Sequence, residues 1–99
     1  MMRADYDSQA NAIQISLVDA ATADRAEKIG EPLAAVVAIA DNVAVAVDLL
    51  CPDLGIEVPL REAAERNGLD AEELIAAAQA ALAAPDRVVT VAVGIRAAA

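Results

Sequence analysis

Apolar and polar residues alternate with a period of two near the start of the chain, which is the pattern of a strand with one buried face. Ile13, Ile15 and Leu17 alternate with Gln14 and Ser16. This segment therefore predicts a half-buried strand. Similar short runs and clusters of turn residues predict further elements, in chain order a strand over 3–6, a turn over 7–11, a turn over 19–24 and a strand over 25–29.

The segment from Leu33 to Leu50 is largely apolar and is interrupted in its middle by Asp41-Asn42. Asp and Asn tolerate positive φ, so this dipeptide predicts a tight hairpin turn between two strands. We expect the larger side chains on one face of the hairpin and alanines on the other, namely Val37, Ile39, Val43, Val45 and Val47 against Ala44 and Ala46. The alanine face is smooth enough to receive a helix or another subunit.

Helical spacing follows the predicted hairpin. Leu60 and Ala64 recur on one face of a first helix, with Pro59 in its first turn and Gly68 at its end. Proline is tolerated in a first helical turn, and glycine adopts the left-handed conformation that ends many helices.

A second helix has the strongest local signal in the chain. Asp70 suits the N-cap, and Glu73 follows at the spacing of a capping box. Leu69 and Leu74 occupy the two positions of a hydrophobic staple. The helix is expected to stop before Pro85, because proline cannot continue it.

Residues 88–95 are rich in β-branched side chains and predict a final strand. The order of elements predicts an α+β fold: a small antiparallel sheet of N-terminal β-hairpins, followed by a helical hairpin and a C-terminal strand. We expect a single domain over 1–99, with a β-rich part over 1–56 and a helix-helix-strand part over 57–99. Tyr6 is the only aromatic residue, so the core must be built from Val, Ile, Leu and Ala.

Charge and composition narrow the classes of function. The chain carries 16 acidic and 7 basic residues, for a net charge of −9. Such a chain is repelled by nucleic acid and by anionic membranes, and suits a basic protein partner. An alanine-rich core gains little burial per residue, so we expect a homo-oligomer. The single Cys51, the lack of a signal sequence and the lack of an apolar run of about 20 residues predict a cytoplasmic protein.

Several short motifs of the first half carry a family resemblance. They are Tyr6-Asp7, Ala10-Asn11-Ala12-Ile13, Ile15, Leu17, Glu27-Lys28-Ile29-Gly30 and the hairpin from Val37 to Leu49 about Asp41-Asn42. Over about residues 4–50 the chain resembles the domain-of-unknown-function 2283 family of small, mostly bacterial proteins. Family members more often carry glycine in the hairpin turn.

This resemblance implies a compact antiparallel sheet. The family brings no established activity, so it transfers no functional residue to this chain. Some such proteins are found beside small toxin-like proteins, which makes an antitoxin or partner-binding role conceivable here.

The chain contains no histidine, which removes Ser-His-Asp and Cys-His catalysis and the usual zinc and iron sites. Cys51 lacks an evident activating base, and we expect it to be a buried or half-buried structural thiol. Carboxylates such as Asp5, Asp7 and Asp48 remain as acid/base or magnesium candidates. Asp7 is also explained as a turn former. We assign no catalytic, cofactor-binding or metal-binding residue.

The helical pair also approaches the packing pattern of a helix-turn-helix, through Ala64, Gly68 and Leu74. A DNA-binding helix-turn-helix protein would place the start of this second helix in the major groove. That helix opens with three acidic residues among four and contains no Lys or Arg. A basic patch would need three arginines to cluster, Arg61, Arg66 and Arg87.

These observations favour a non-enzymatic, self-associating protein-interaction module, of which an antitoxin-like protein is one form. The alternative is a small-molecule binder or a carboxylate-dependent enzyme of unrecognised type. It requires a cleft lined by two or more buried acids. The third interpretation is a DNA-binding regulator, and the acidic helices argue against it.

Overall fold

A computed structural model describes residues 2–18, 22–30 and 32–91. Within these ranges, six strands, two helices and one 3-10 turn follow one another in the order β1 (Met2–Asp7), β2 (Ala12–Ser16), β3 (Arg25–Ile29), β4 (Ala35–Ala40), β5 (Val43–Leu50), the turn Pro52–Leu54, α1 (Glu57–Asn67), α2 (Ala71–Ala83) and β6 (Val88–Val91). This arrangement confirms the predicted α+β fold. The predicted extension of the last strand over 92–95 lies outside the described residues.

The strands form one antiparallel sheet in the order β3-β4-β5-β2-β1-β6. The strand β2 lies between β5 and β1, and β6 joins the sheet beside β1. The last described strand therefore pairs with the first. Both helices lie on one face of this sheet, with α1 against β3, β4 and β5 and α2 against β1, β2 and β6.

The core lies between the helices and the strands. Its largest fully buried side chains are aliphatic and come from both parts of the chain, namely Ile13, Ile15, Ile29, Leu49, Leu60, Leu74, Val37 and Val47. Small alanines of the helices, including Ala63 and Ala78, are also buried, so that the helix backbones approach the sheet closely. The predicted aliphatic core is confirmed.

Local backbone signals determine the turns and helix ends as predicted. Asp41 and Asn42 have φ values of 52° and 63°, which suits the tight turn between β4 and β5. Gly68 ends α1 with a φ of 66°. The Asp70 side chain accepts a hydrogen bond from the backbone N of Glu73 at 3.1 Å, which caps α2.

The predicted faces of the central hairpin are wrong at the start of β5. A bulge shifts the pairing, so that Ala38 pairs with Ala46 while Ile39 pairs with Ala44. The intervening Val45 and the neighbouring Ala44 are both buried, whereas Val43 is 58% exposed. The extra residue breaks the strict alternation, which explains why Ala44 lies inside and Val43 outside.

Candidate functional site

The helices leave the opposite face of the sheet uncovered by any described residue. Two rows of paired residues cross all six strands on this face. The first row runs Lys28, Val36, Asp48, Gln14, Asp5 and Val88, and the second runs Ala26, Ala38, Ala46, Ser16, Arg3 and Thr90. We call these two rows, together with Asp7, Ala12 and Leu50 beside them, the open sheet face.

The β3–β5 side of the open sheet face is small and apolar. Ala38 and Ala46 face each other across β4 and β5, and Val36 lies beside them. All three side chains are only half-buried, although they sit in central strands. The predicted alanine face of the hairpin is therefore confirmed at Ala46, and the helices cover the other face.

The β2–β1 side of the open sheet face is polar. Asp5, Asp7 and Asp48 line one open cleft of about 280 Å³, with Gln14 between Asp5 and Asp48. Burial, and secondly repulsion from Asp5, raises the pKa of Asp48 above its usual range. Ala12 contributes to the apolar floor of the cleft. The three candidate carboxylates are thus brought together.

This cleft lacks the features of a catalytic or metal site. Asp48 and Asp5 are half-buried and Asp7 is exposed, and no polar or charged residue is buried within 2–18, 22–30 and 32–91. No group of three His, Cys, Asp or Glu residues in that part of the chain could hold a metal ion. The requirement for two buried acids is therefore not met among the described residues.

Asp7 also forms the turn that was predicted for it. Its Oδ1 accepts hydrogen bonds from the backbone N atoms of Gln9 at 3.0 Å and Ala10 at 3.1 Å. In the same turn, Asn11 accepts from the Tyr6 hydroxyl at 3.0 Å and donates to Asp53 at 2.6 Å. The residues of this turn that carry the family resemblance therefore make structural contacts.

The prediction that Cys51 is buried is wrong, because its side chain is exposed. Cys51 follows β5 and adopts a left-handed conformation, with a φ of 49°. Its backbone N donates to the carbonyl O of Asn11 at 3.0 Å, and its own carbonyl O accepts from Leu54 N at 2.9 Å. These bonds turn the chain out of the sheet and leave the thiol in solvent.

A larger open cleft of about 630 Å³ lies beside α1 and the turn between β3 and β4. It is lined by Lys28, Leu33, Glu62 and Arg66, with Gly30 and Pro32. Arg66 pairs with Glu62 at 2.7 Å, so its charge is already balanced within the helix. The lining offers no convergent set of polar groups for a small ligand.

The arginines needed for a DNA-binding patch do not cluster. Arg61 pairs with Glu72 at 2.8 Å and Arg66 pairs with Glu62. Both lie on α1, which packs against β3, β4 and β5. Arg87 precedes β6 at the other side of the sheet. The helical hairpin is therefore an acidic surface whose described basic groups are largely paired.

Within the residues that the structure describes, the fold is a two-layer α+β arrangement with helices on one face of the sheet and none on the other. No family model, curated protein or solved structure matches the chain. The resemblance to the domain-of-unknown-function 2283 family consequently stays a prediction. None of the helices in the described part of the chain is long and apolar enough to cross a membrane.

The sequence pattern gave no functional role to Arg3, Gln14 or Lys28, which contribute polar groups to the open sheet face. Each lies at an outward position of a predicted strand, so alternation places it away from the core. The sequence pattern does not specify the order of the strands in the sheet. Only that order brings residues of β3 and β1 into one row.

Proposed function

We propose that the protein is a non-enzymatic protein-interaction module, and that it self-associates or binds a partner through the open sheet face. The observation that carries this proposal is the coverage of the sheet. Six strands are packed by helices on one face, while central residues such as Val36, Ala38 and Ala46 are half-buried on the other.

The composition of the face supports protein binding. Alanine side chains at the centre permit close approach of another backbone or side chain. Apolar contact at the centre and polar groups at the rim are the usual anatomy of a protein interface. Lys28 on the edge strand β3 and Arg3, Asp5 and Asp7 on β1, next to the edge strand β6, supply polar groups toward the two sides of the face.

The chemistry of the surface favours a basic partner wherever another protein binds. The net charge of −9 raises the association rate of a positively charged protein, particularly at low salt. An antitoxin-like role in the cytoplasm, in which an acidic module neutralises a basic protein, is one form of this function. The open cleft of about 280 Å³ is smaller than most small-molecule sites, which argues against the alternative interpretation.

A pair of matched substitutions tests the proposal. Ala46→Arg places a bulky charge at the centre of the open sheet face, and Ala76→Arg places the same group on the exposed surface of α2. Self-association is measured by sedimentation velocity, and partner binding by tagged capture from native cells at low and moderate salt. If the unmodified protein self-associates or binds a partner, we expect Ala46→Arg to abolish that association and Ala76→Arg to leave it intact.

If Ala46→Arg and Ala76→Arg associate to the same extent, the open sheet face is not the binding surface. An unmodified protein that is monomeric at about 100 μM and captures no stoichiometric partner would overturn the proposed function itself. Far-ultraviolet circular dichroism of both variants checks that each retains the fold.

A further inference from the structure

We propose that Asn67-Gly68 is a site of spontaneous covalent modification, and that the hydrogen bonds at the end of α1 control its rate. In an Asn-Gly pair, the backbone N of the glycine attacks the side-chain amide of the asparagine when the two groups are free to meet. The fold holds both groups in hydrogen bonds, so the reaction requires that the end of α1 opens. This inference is independent of the proposed interaction function.

The reaction needs only these two residues and water. A bond forms between Gly68 N and Asn67 Cγ, and the bond between Cγ and Nδ2 breaks. Nδ2 leaves as ammonia and takes up the proton of the Gly68 N–H, so that a cyclic imide remains. Water then opens the ring at either carbonyl group. Residue 67 becomes aspartate, or it becomes isoaspartate, in which the main chain runs through the former side chain.

The sequence favours Asn67 over the other two asparagines of the chain. Glycine has no Cβ, so no side chain on residue 68 hinders the approach of its backbone N. Asn11 precedes an alanine and Asn42 precedes a β-branched valine, and both of these side chains crowd the attacking nitrogen. In the unfolded chain, Asn67 is therefore expected to react first.

The folded structure restrains the asparagine side chain. Asn67 is the last residue of α1 and is half-buried. Its Nδ2 donates one hydrogen bond to Glu27 Oε1 on β3 at 3.1 Å and another to the carbonyl O of Ala63 at 2.9 Å. Because both hydrogens of the amide are engaged, these bonds must break before Asn67 Cγ can turn toward Gly68 N.

The attacking nitrogen is restrained as well. The backbone N of Gly68 donates to the carbonyl O of Ala64, and the backbone N of Leu69 donates to the same oxygen at 2.9 Å. These two bonds form the cap of α1, in which Gly68 adopts the left-handed conformation. The reaction therefore requires that the last turn of α1 opens, and such local opening costs less free energy than global unfolding.

Modification would weaken the contact between α1 and β3. A carboxylate at residue 67 has no hydrogen to donate to Glu27 or to the carbonyl O of Ala63, so each bond becomes a contact between two acceptors. The new charge also repels Glu27 and is unfavourable at the C-terminal end of a helix. Isoaspartate would lengthen the main chain before Gly68 and displace the cap. A chain that has opened once therefore becomes easier to open again.

Peptide mapping tests the proposal, because cleavage by trypsin after Lys and Arg places the three asparagines on separate peptides, 4–25, 29–61 and 67–87. Folded protein and protein unfolded in guanidinium chloride are incubated in water enriched in heavy oxygen, which labels the products, and are then digested in ordinary water. Mass spectrometry measures the labelled fraction of each peptide. We expect peptide 67–87 to be modified fastest in the unfolded protein, and at least about tenfold more slowly in the folded protein.

Two pairs of variants test the role of the hydrogen bonds. Glu27→Ala removes one acceptor of the Asn67 amide and should raise the rate in the folded protein several-fold. Glu65→Ala on the exposed surface of α1 is its control and should change the rate by less than about twofold. Asn67→Asp reproduces one product and should raise the equilibrium constant of unfolding by about tenfold. Asn42→Asp makes the same change in an exposed turn and is the second control.

Modification of Asn67 that is selective, suppressed by folding and accelerated in Glu27→Ala would support the proposal. Equal rates in the folded and unfolded protein, or no preference for Asn67 in the unfolded chain, would overturn it. A rate in Glu27→Ala no higher than in Glu65→Ala would show that the side-chain bond does not control the reaction. Equal stability of Asn67→Asp and Asn42→Asp would exclude the expected loss of the contact between α1 and β3.

Discussion

Asp86 accepts two hydrogen bonds from Ser8, one from its backbone N at 3.0 Å and one from its Oγ at 2.7 Å. The backbone N of Asp86 in turn donates to the carbonyl O of Tyr6 at 2.8 Å. These contacts join the turn between β1 and β2 to the segment before β6. They hold the last described strand against the first.

This contact predicts a pH dependence of stability. The hydrogen bonds from Ser8 lower the pKa of Asp86 below its usual value. A carboxyl group whose pKa is depressed by folding stabilises the native state above its unfolded pKa, and that contribution is lost as the pH falls through the native pKa. Asp86→Asn should therefore lower stability at pH 6 and reduce the loss between pH 5 and pH 3.

Urea unfolding followed by circular dichroism at several pH values measures this effect. Asp41→Asn is the matched control, since Asp41 also has positive φ and Asn tolerates that conformation. Identical pH slopes for Asp86→Asn and the unmodified protein would contradict the prediction.

Asp48 predicts the opposite dependence. Burial and the neighbouring Asp5 raise its pKa, so the ionised group opposes folding and this cost disappears as the pH falls through the range between the unfolded and native pKa values. The charged groups that share its face are Arg3, Asp5, Asp7 and Lys28, and neither α1 nor α2 lies on that face. Asp48→Asn should raise the free energy of unfolding at pH 7 by a few tenths of a kcal/mol, after solvent screening.

The same urea titration at pH 7 and pH 4 measures this change. Glu65→Gln on exposed α1 removes one negative charge elsewhere and serves as the control. A lower stability of Asp48→Asn at pH 7 would show that ionised Asp48 makes favourable contacts instead.

The cap of α2 predicts a measurable loss of stability. The Asp70 side chain accepts a hydrogen bond from Glu73 N in the first turn of the helix, which is the bond of an N-cap. Asp70→Ala should lower the free energy of unfolding by about 1 kcal/mol, whereas Asp70→Ser should retain most of it. Thermal unfolding of the three proteins under one condition compares them, and equal midpoints for Ala and Ser would exclude the cap as the cause.

The exposed thiol of Cys51 predicts rapid modification of the native protein. A thiol reagent that produces a coloured product should report one equivalent without denaturant, and addition of urea should add no further equivalent. Cys51→Ser gives the blank. A thiol that reacts only after unfolding would show that the side chain is covered in solution, for instance by a second copy.

Local interactions explain which parts of the fold were predicted from the sequence. Asp70 and Glu73 contact each other within one helical turn, and Asp41-Asn42 form their own hairpin turn. Signals of this kind depend on four neighbouring residues at most. They therefore appear in the sequence in the same form as in the structure.

Long-range contacts explain the two wrong predictions. The carbonyl O of Val45 accepts hydrogen bonds from the backbone N atoms of Leu17 and Val18, so a neighbouring strand fixes the bulge of β5. The exposure of Cys51 likewise depends on its bond to the β1–β2 turn. Neither contact leaves a pattern in the residues adjacent to Val45 or Cys51.

The candidate surface was predicted only in part, for the same reason. The alanines of β5 indicated a smooth face, and the charges of Asp5 and Asp48 were noted individually. Asp5 and Asp48 lie in one row because β2, with Gln14, lies between β1 and β5 in the sheet. That strand order is a property of the assembled sheet.

The bulge at Val45 also bears on how the sequence can change in length. On either side of it, β5 pairs with β4 as a regular ladder, with Ala46 opposite Ala38 and Ala44 opposite Ile39. Removal of Val45 would join these two ladders without turning any side chain to the other face, at the cost of one buried valine. Removal of a residue from the regular part of β5 after Ala46 would invert the rest of the strand. The bulge of the central hairpin can therefore absorb a single-residue deletion.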